Sequence, residues 1–166
     1  VTMDVTGLYT NIPNDDALES VAIALRRERA GNIHPRNSSI VELLSMVLKM
    51  NNFECAGRHY IQKGGTAMGT KAAPSTANTY MGWFEEKYAY KYPKQPLCWG
   101  RYIDNIFQIW PFGLEELEMF IKFLNNSVPT IKFEVEISET SVHFLDVTVN
   151  LSEDGTLSTP VYMKPT

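Results

Sequence analysis

No apolar run in this 166-residue chain approaches the ~20 residues that span a bilayer, and no signal peptide opens it. A membrane partner is therefore not expected, and an intracellular setting is. Cysteine is scarce. Cys55 and Cys98 stand far apart with no Cys-x-x-Cys spacing, which argues against structural zinc and for a reducing compartment. Basic residues are also few for a chain that would track nucleic-acid backbones: 15 Lys and Arg face 19 Asp and Glu, for a net charge of −4. They occur in scattered patches, such as Arg26-Arg27-Glu28-Arg29 and the stretch from Lys87 to Lys94. His34, His59 and His143 lack ligand spacing. Glycine and proline are ordinary, and no repeat, linker or low-complexity segment interrupts the chain. With 44% apolar residues, the chain can bury a real core, and one domain over residues 1–166 is expected.

Apolar patterning predicts an α+β chain, with an antiparallel sheet backed by helices on one face. A strand covers Val1 to Thr6. Asn14 is placed to cap a helix from Asp15 to about Ala30, with acids in its first turn and arginines in its last. Gly31 to Asn37 connects to a second helix from Ser38 to about Met50. Phe53-Glu54-Cys55 and His59-Tyr60-Ile61 flank a plausible hairpin turn, Ala56-Gly57-Arg58. A Gly/Thr/Ala loop from Lys63 to Ala73 leads to Pro74, which opens a helix to about Tyr90. A hairpin with an Asp104-Asn105 tip follows. Leu117, Phe120, Ile121 and Leu124 then mark one face of a helix from Leu114 to Asn125. Three strands are expected at the end: Ile131 to Ile137, Val142 to Val149, and Leu157 to Tyr162.

Several constellations carry chemistry. Asp4 ends or interrupts an apolar strand, where a carboxylate is costly unless paired or metal-bound; a strand-end cap is the plainer alternative. Two-metal phosphoryl transfer needs carboxylates converging from separate elements on ions about 4 Å apart. Asp4 on one strand and Asp104 on a distant hairpin would supply them, although Asp-Asn also suits an ordinary type I′ turn. Tyr9, in the turn leaving the first strand, reads either as a core residue or as the floor of a sugar pocket that excludes a 2′-hydroxyl. Gln62 to Ser75 is a loop of small residues running into a helix N-terminus, which favours anions. It is not a P-loop: Gly64 and Gly69 have the spacing, but Thr70 stands where Lys is required and Ala72 follows Lys71. Lys132 is either a proton donor to leaving pyrophosphate or a solvated strand residue.

Taken in order, these pieces resemble the palm of a reverse transcriptase, and specifically that of Penelope-like retroelements. Asp4-Val5-x-x-Leu8-Tyr9-Thr10-Asn11-Ile12-Pro13 is similar to motif A of that group. Gly65-Thr66-Ala67-Met68-Gly69 with Pro74 is similar to motif B, and Arg101-Tyr102-Ile103-Asp104 to motif C. Phe144-Leu145-Asp146-Val147 and Tyr162-x-Lys164-Pro165-Thr166 resemble its downstream strands near the primer. The resemblance spans essentially the whole chain.

It implies RNA-templated DNA synthesis with two Mg²⁺ ions, or Mn²⁺, held by Asp4, Asp104 and the Val5 carbonyl. Tyr9 would gate the sugar, and Met68, Gly69, Lys71 and Pro74 would contact the nucleotide. The implied partners are an RNA template, a DNA primer and dNTP. The implied parent is a nuclear retroelement polyprotein that also carries fingers, thumb and a GIY-YIG nuclease. Asn105 departs from the pattern, because the motif ends in a second Asp. The expectation is therefore an enzyme impaired by Asn105 and inactive as an isolated palm. The alternative is a decayed palm retaining a structural or nucleic-acid-binding role.

Overall fold

The computed structural model describes residues 1–29, 31 and 34–162. In chain order the elements begin with β1 (Thr2–Val5), α1 (Leu8–Asn11), α2 (Asn14–Glu28), α3 (Asn37–Lys49), β2 (Asn52–Cys55), β3 (Arg58–Ile61) and α4 (Ala73–Lys87). They continue with β4 (Cys98–Tyr102), β5 (Asn105–Ile109), α5 (Leu114–Ser127), β6 (Phe133–Glu136), β7 (Ser141–Phe144), β8 (Val147–Leu151) and β9 (Leu157–Ser158). The mixture of helices and antiparallel strands is the α+β class that the patterning predicts. Among the described residues no helix is long and apolar enough to cross a membrane.

The chain forms two compact units, one of Val1–Thr6 with Lys91–Thr166 and one of Gly7–Tyr90. The first is built on a four-stranded antiparallel sheet in the order β4-β5-β1-β6. β1 is central because its alternating side chains suit a strand covered on one face. Met3 and Val5 are buried, while Asp4 between them is exposed. Met3 pairs with Ile106 on one side and Val135 on the other, which extends the apolar face. α5 buries Leu117, Phe120 and Leu124. Phe120 lies in an aromatic cage, stacked on Trp110 with ring centroids 5.0 Å apart and flanked by Tyr92 and Trp99. Ile121, expected on the buried face, is only half-buried.

Three local expectations shift in this unit. The stretch from Val142 to Val149 is not one strand. It folds back at Leu145-Asp146 into β7 and β8, with Leu145 at φ 54°. An apolar residue at the turn hid that break. The last strand is shorter than Leu157 to Tyr162: Pro160 follows β9, and among the described residues beyond it Val161 bridges to Val147 and the Tyr162 amide donates to the Asp146 carbonyl at 2.8 Å. The hairpin of β4 and β5 pairs Tyr102 with Asn105, so its two-residue tip is Ile103-Asp104 rather than Asp104-Asn105.

The second unit is mostly helical. α4 buries Ala77, Tyr80, Met81 and Phe84, with Pro74 in its first turn as its fixed φ favours. Arg27 of α2 makes a two-pronged ion pair with Glu86 of α4 at 2.8 and 2.7 Å. Asn14 is the first residue of α2 and not its cap. Pro13 holds the cap position, and the Asn14 Oδ1 is buried with no hydrogen-bond partner among the described residues. α3 opens one residue before Ser38. β2 and β3 form the expected hairpin, turning on Ala56 and Gly57 at φ 51° and 72°, the pair of positive values that a type I′ turn requires. The expected helix end at Ala30 and the motif residues Lys164, Pro165 and Thr166 lie outside the described residues.

Candidate active site

The sheet of the first unit determines which side chains meet. Asp4 is opposite Asn105 on β5 and opposite Glu134 on β6. Cross-strand partners project from the same face, so Asn105, Asp4 and Glu134 form a row across three strands. Asp104 sits at the hairpin tip beside that row, and its carbonyl accepts the Val5 amide at 3.1 Å. That bond fixes the tip against the end of β1. The Arg101 guanidinium closes the tip from the other side by donating to the Ile103 carbonyl at 3.1 Å. Ile103 itself adopts φ 55°, a region that β-branched residues avoid and that clusters at functional sites.

The electrostatics follow from this crowding. Partial desolvation raises the Asp4 carboxyl above its ordinary 3.8, and the charges of Asp104 and Glu134 push it the same way. Among the described residues no donor or cation offsets Asp4. Asp104 does have a donor, the Asn105 amide nitrogen, 2.9 Å from its Oδ1. Glu134 accepts from the Thr6 hydroxyl at 3.4 Å. Among the described residues no group of three or more His, Cys, Asp or Glu side chains could by itself hold a metal ion. Mg²⁺ needs less than that, because it takes one or two carboxylates and completes its shell with water and substrate phosphate. Asp4 and Asp104, two hard-oxygen groups of which only Asp104 has a donor among the described residues, fit such an ion. The Lys132 ammonium donates to the Asn125 carbonyl of α5.

In the second unit the structure brings Tyr9 to the glycine loop. The Tyr9 carbonyl accepts the Thr66 amide at 2.6 Å. Gly65, at φ 73°, lies so close to α1 that a Cβ there would stand 2.5 Å from the Thr10 carbonyl oxygen. Glycine is required at 65 on both counts. Tyr9 is half-buried, Met68, Gly69, Lys71 and Pro74 are exposed, and Pro74 lies in the first turn of α4.

Sequence reasoning missed Glu134, the bond from Thr66 to Tyr9 and the Asn105 hydrogen bond. Glu134 had half a signal: Lys132, Glu134 and Glu136 alternate with Phe133 and Val135, which puts the carboxylates on one face of the strand, and the register of β6 on β1 then makes that the face of Asp4.

The sequence matches no family model and no curated protein. Solved structures do match it in fold. A telomerase from Candida tropicalis, in the apo state, superposes with a TM-score of 0.72 at 13% identity over 96% of this chain. The same enzyme truncated from its C-terminal domain gives 0.69 at 14% identity over 97%. A Sicinivirus 3Dpol RNA-dependent RNA polymerase gives 0.64 at 13% over 97%. The fold is polymerase palm-like. The chain spans about a third of each of these proteins, 31%, 35% and 36% respectively.

Proposed function

We propose that this chain is the catalytic palm of an RNA-directed DNA polymerase of the reverse transcriptase type, of the Penelope-like kind that its motifs resemble. The observation that carries the reading is the convergence of Asp4, on β1, with Asp104, at the tip of the adjoining β4–β5 hairpin: the Val5–Asp104 backbone bond ties the tip to β1, and desolvation together with the Asp104 charge pushes the Asp4 carboxyl up. The reaction joins a primer 3′-hydroxyl to the α-phosphate of a dNTP and releases pyrophosphate. Asp4, Asp104 and the Val5 carbonyl would hold two Mg²⁺ ions, which supply charge neutralisation and polarisation at the phosphate. Tyr9 would exclude the ribose 2′-hydroxyl, while Met68, Gly69, Lys71 and Pro74 contact the nucleotide. RNA template and DNA primer are the macromolecular partners. Fingers, thumb and a GIY-YIG nuclease belong to the proposed nuclear parent. Lys132 is the candidate proton donor to pyrophosphate.

The test is primer extension on an RNA template by this chain supplied with fingers and thumb. Incorporation that disappears on Asp104→Asn supports the reading, and incorporation indifferent to that change sinks it. The second reading, a palm that has lost chemistry, is favoured by one observation. Asn105 offers an amide where a carboxylate would add charge, and that amide already engages Asp104.

A further inference from the structure

Every residue of β2 and of β3 is exposed, so this hairpin has no buried side chain to hold it. Its two faces nevertheless differ in chemistry. Phe53 opposite Tyr60 and Cys55 opposite Arg58 share one face. Asn52 opposite Ile61 and Glu54 opposite His59 share the other. On the first face the Phe53 and Tyr60 rings stack, with centroids 5.5 Å apart and planes inclined by 22°. They stay 50% and 45% exposed. Arg58 stands beside them near the turn, and among the described residues it has neither an acidic nor a hydrogen-bonding partner. The hairpin's one carboxylate, Glu54, belongs to the opposite face.

The base of the hairpin is braced. The Gln62 amide donates to the Asn51 carbonyl at 2.9 Å, and the Asn51 side-chain amide donates to the Gln62 Oε1 at 3.0 Å. The Gln62 Nε2 then donates to the Gly64 carbonyl at 2.9 Å, which couples the hairpin to the glycine loop. Lys63, exposed between them, adds a second cation.

We propose that the Phe53–Tyr60–Arg58 face is a stacking platform for single-stranded nucleic acid. Two adjacent half-exposed rings offer π-faces that any base can cover, and an unpaired guanidinium beside them can take a phosphate or stack in turn. A face built for an apolar helix would have no use for a free arginine among its rings. The platform rests on the polymerase reading above and adds to it a binding surface made by residues of the second unit alone.

The experiment is fluorescence anisotropy of labelled oligouridylate and oligothymidylate titrated with this chain, alongside sedimentation velocity of the chain alone. The native chain binds both single strands. The Phe53→Leu/Tyr60→Leu double variant keeps apolar bulk in the hairpin and loses roughly tenfold in affinity per ring removed. Phe53→Trp keeps the affinity, and the added emission is quenched by oligonucleotide. Arg58→Gln lowers the slope of log affinity against log salt by about 0.7, the loss of one phosphate contact on a single strand. Equal binding by the native chain and the leucine variant overturns the platform, and so does a native chain that leaves both strands free. Self-association that the leucine variant abolishes assigns the face to a second copy and likewise overturns it. Asp104→Asn separates the two readings: it leaves oligonucleotide binding intact and removes primer extension, so either can fail without the other.

Discussion

The Asn105 amide nitrogen donates to the Asp104 carboxylate at 2.9 Å, so an amide steadies the acid beside it. The same Asn105 pairs across the sheet with Asp4. An acid at 105 would therefore enter a group that already holds Asp4, Asp104 and Glu134. The amide lowers the repulsion of that group and, in the same measure, its attraction for divalent cations.

Asn105→Asp should show both sides of this trade. Without divalent cations the variant should be less stable by about 1 kcal/mol, having exchanged a hydrogen bond for a like charge. Mg²⁺ should restore the loss and raise the melting temperature more than it does for the native chain. With fingers and thumb present, primer extension should rise by about one to three decades, equivalent to roughly 1–4 kcal/mol of transition-state stabilisation. Native activity should shift toward higher metal concentration or toward Mn²⁺. An Asn105→Asp protein as inactive as its parent would favour the decayed palm.

Asp4 gives a pH signature with a definite sign. Its carboxyl is raised above 3.8, first by desolvation and then by the neighbouring carboxylates, so the folded chain holds that proton more tightly than the unfolded one. The associated stability is present below the ordinary value and is lost as pH rises through the raised one. Asp4→Asn should thus stabilise the metal-free chain at neutral pH, by less than about 1 kcal/mol because solvent screens the site. The difference should vanish in acid. Urea titrations between roughly pH 3 and pH 7 measure it, and a gain that grows on acidification would contradict the sign.

Tyr9→Ala removes the ring and leaves the backbone bond from Thr66 to the Tyr9 carbonyl intact. In an active protein, ribonucleotide use relative to deoxynucleotide use should rise roughly tenfold or more, the scale on which steric rejection of one group operates. Incorporation assays with each nucleotide class decide it. An unchanged ratio would make Tyr9 a packing residue.

Gly65→Ala and Gly57→Ala form a matched pair. Both positions have positive φ, 73° and 72°, but a Cβ at Gly65 would meet the Thr10 backbone, while one at Gly57 would meet no described residue within 4 Å. Gly57→Ala should cost about 1–2 kcal/mol, the backbone penalty alone. Gly65→Ala should cost appreciably more and dislodge the glycine loop from α1, since the crowding atoms are backbone and cannot rotate away. Thermal melts of the two variants compare them directly.

Much of the architecture was legible because period and chemistry agreed. The Met3-Asp4-Val5 alternation, the Pro74 helix start and the Leu117-Phe120-Leu124 stripe each point to one structure. The tips of two hairpins were not legible, for a shared reason. At Ile103-Asp104 and Leu145-Asp146 the left-handed residue is aliphatic, φ 55° and 54°, where turn chemistry leads one to look for Gly, Asn or Asp. Strand pairing on either side of each tip, Tyr102 with Asn105 and Phe144 with Val147, imposes the turn against the residue's own preference, and a sequence pattern records only the preference. The row of Asn105, Asp4 and Glu134 was hidden differently. It depends on which strands flank β1, and strand order is not written in any one strand.

The central position of β1 has a consequence for how the chain is made. Its two neighbours, β5 and β6, leave the ribosome only after the whole contiguous unit Gly7–Tyr90 has emerged and had time to fold. Until then Thr2–Val5 is a short apolar strand with both edges bare, the kind of segment that pairs with whatever strand is at hand. Asp4 sits in the middle of it. Its carboxylate charges the nascent strand, and a charge on a bare edge is among the simplest guards against misassembly in the crowded interval before its partners arrive.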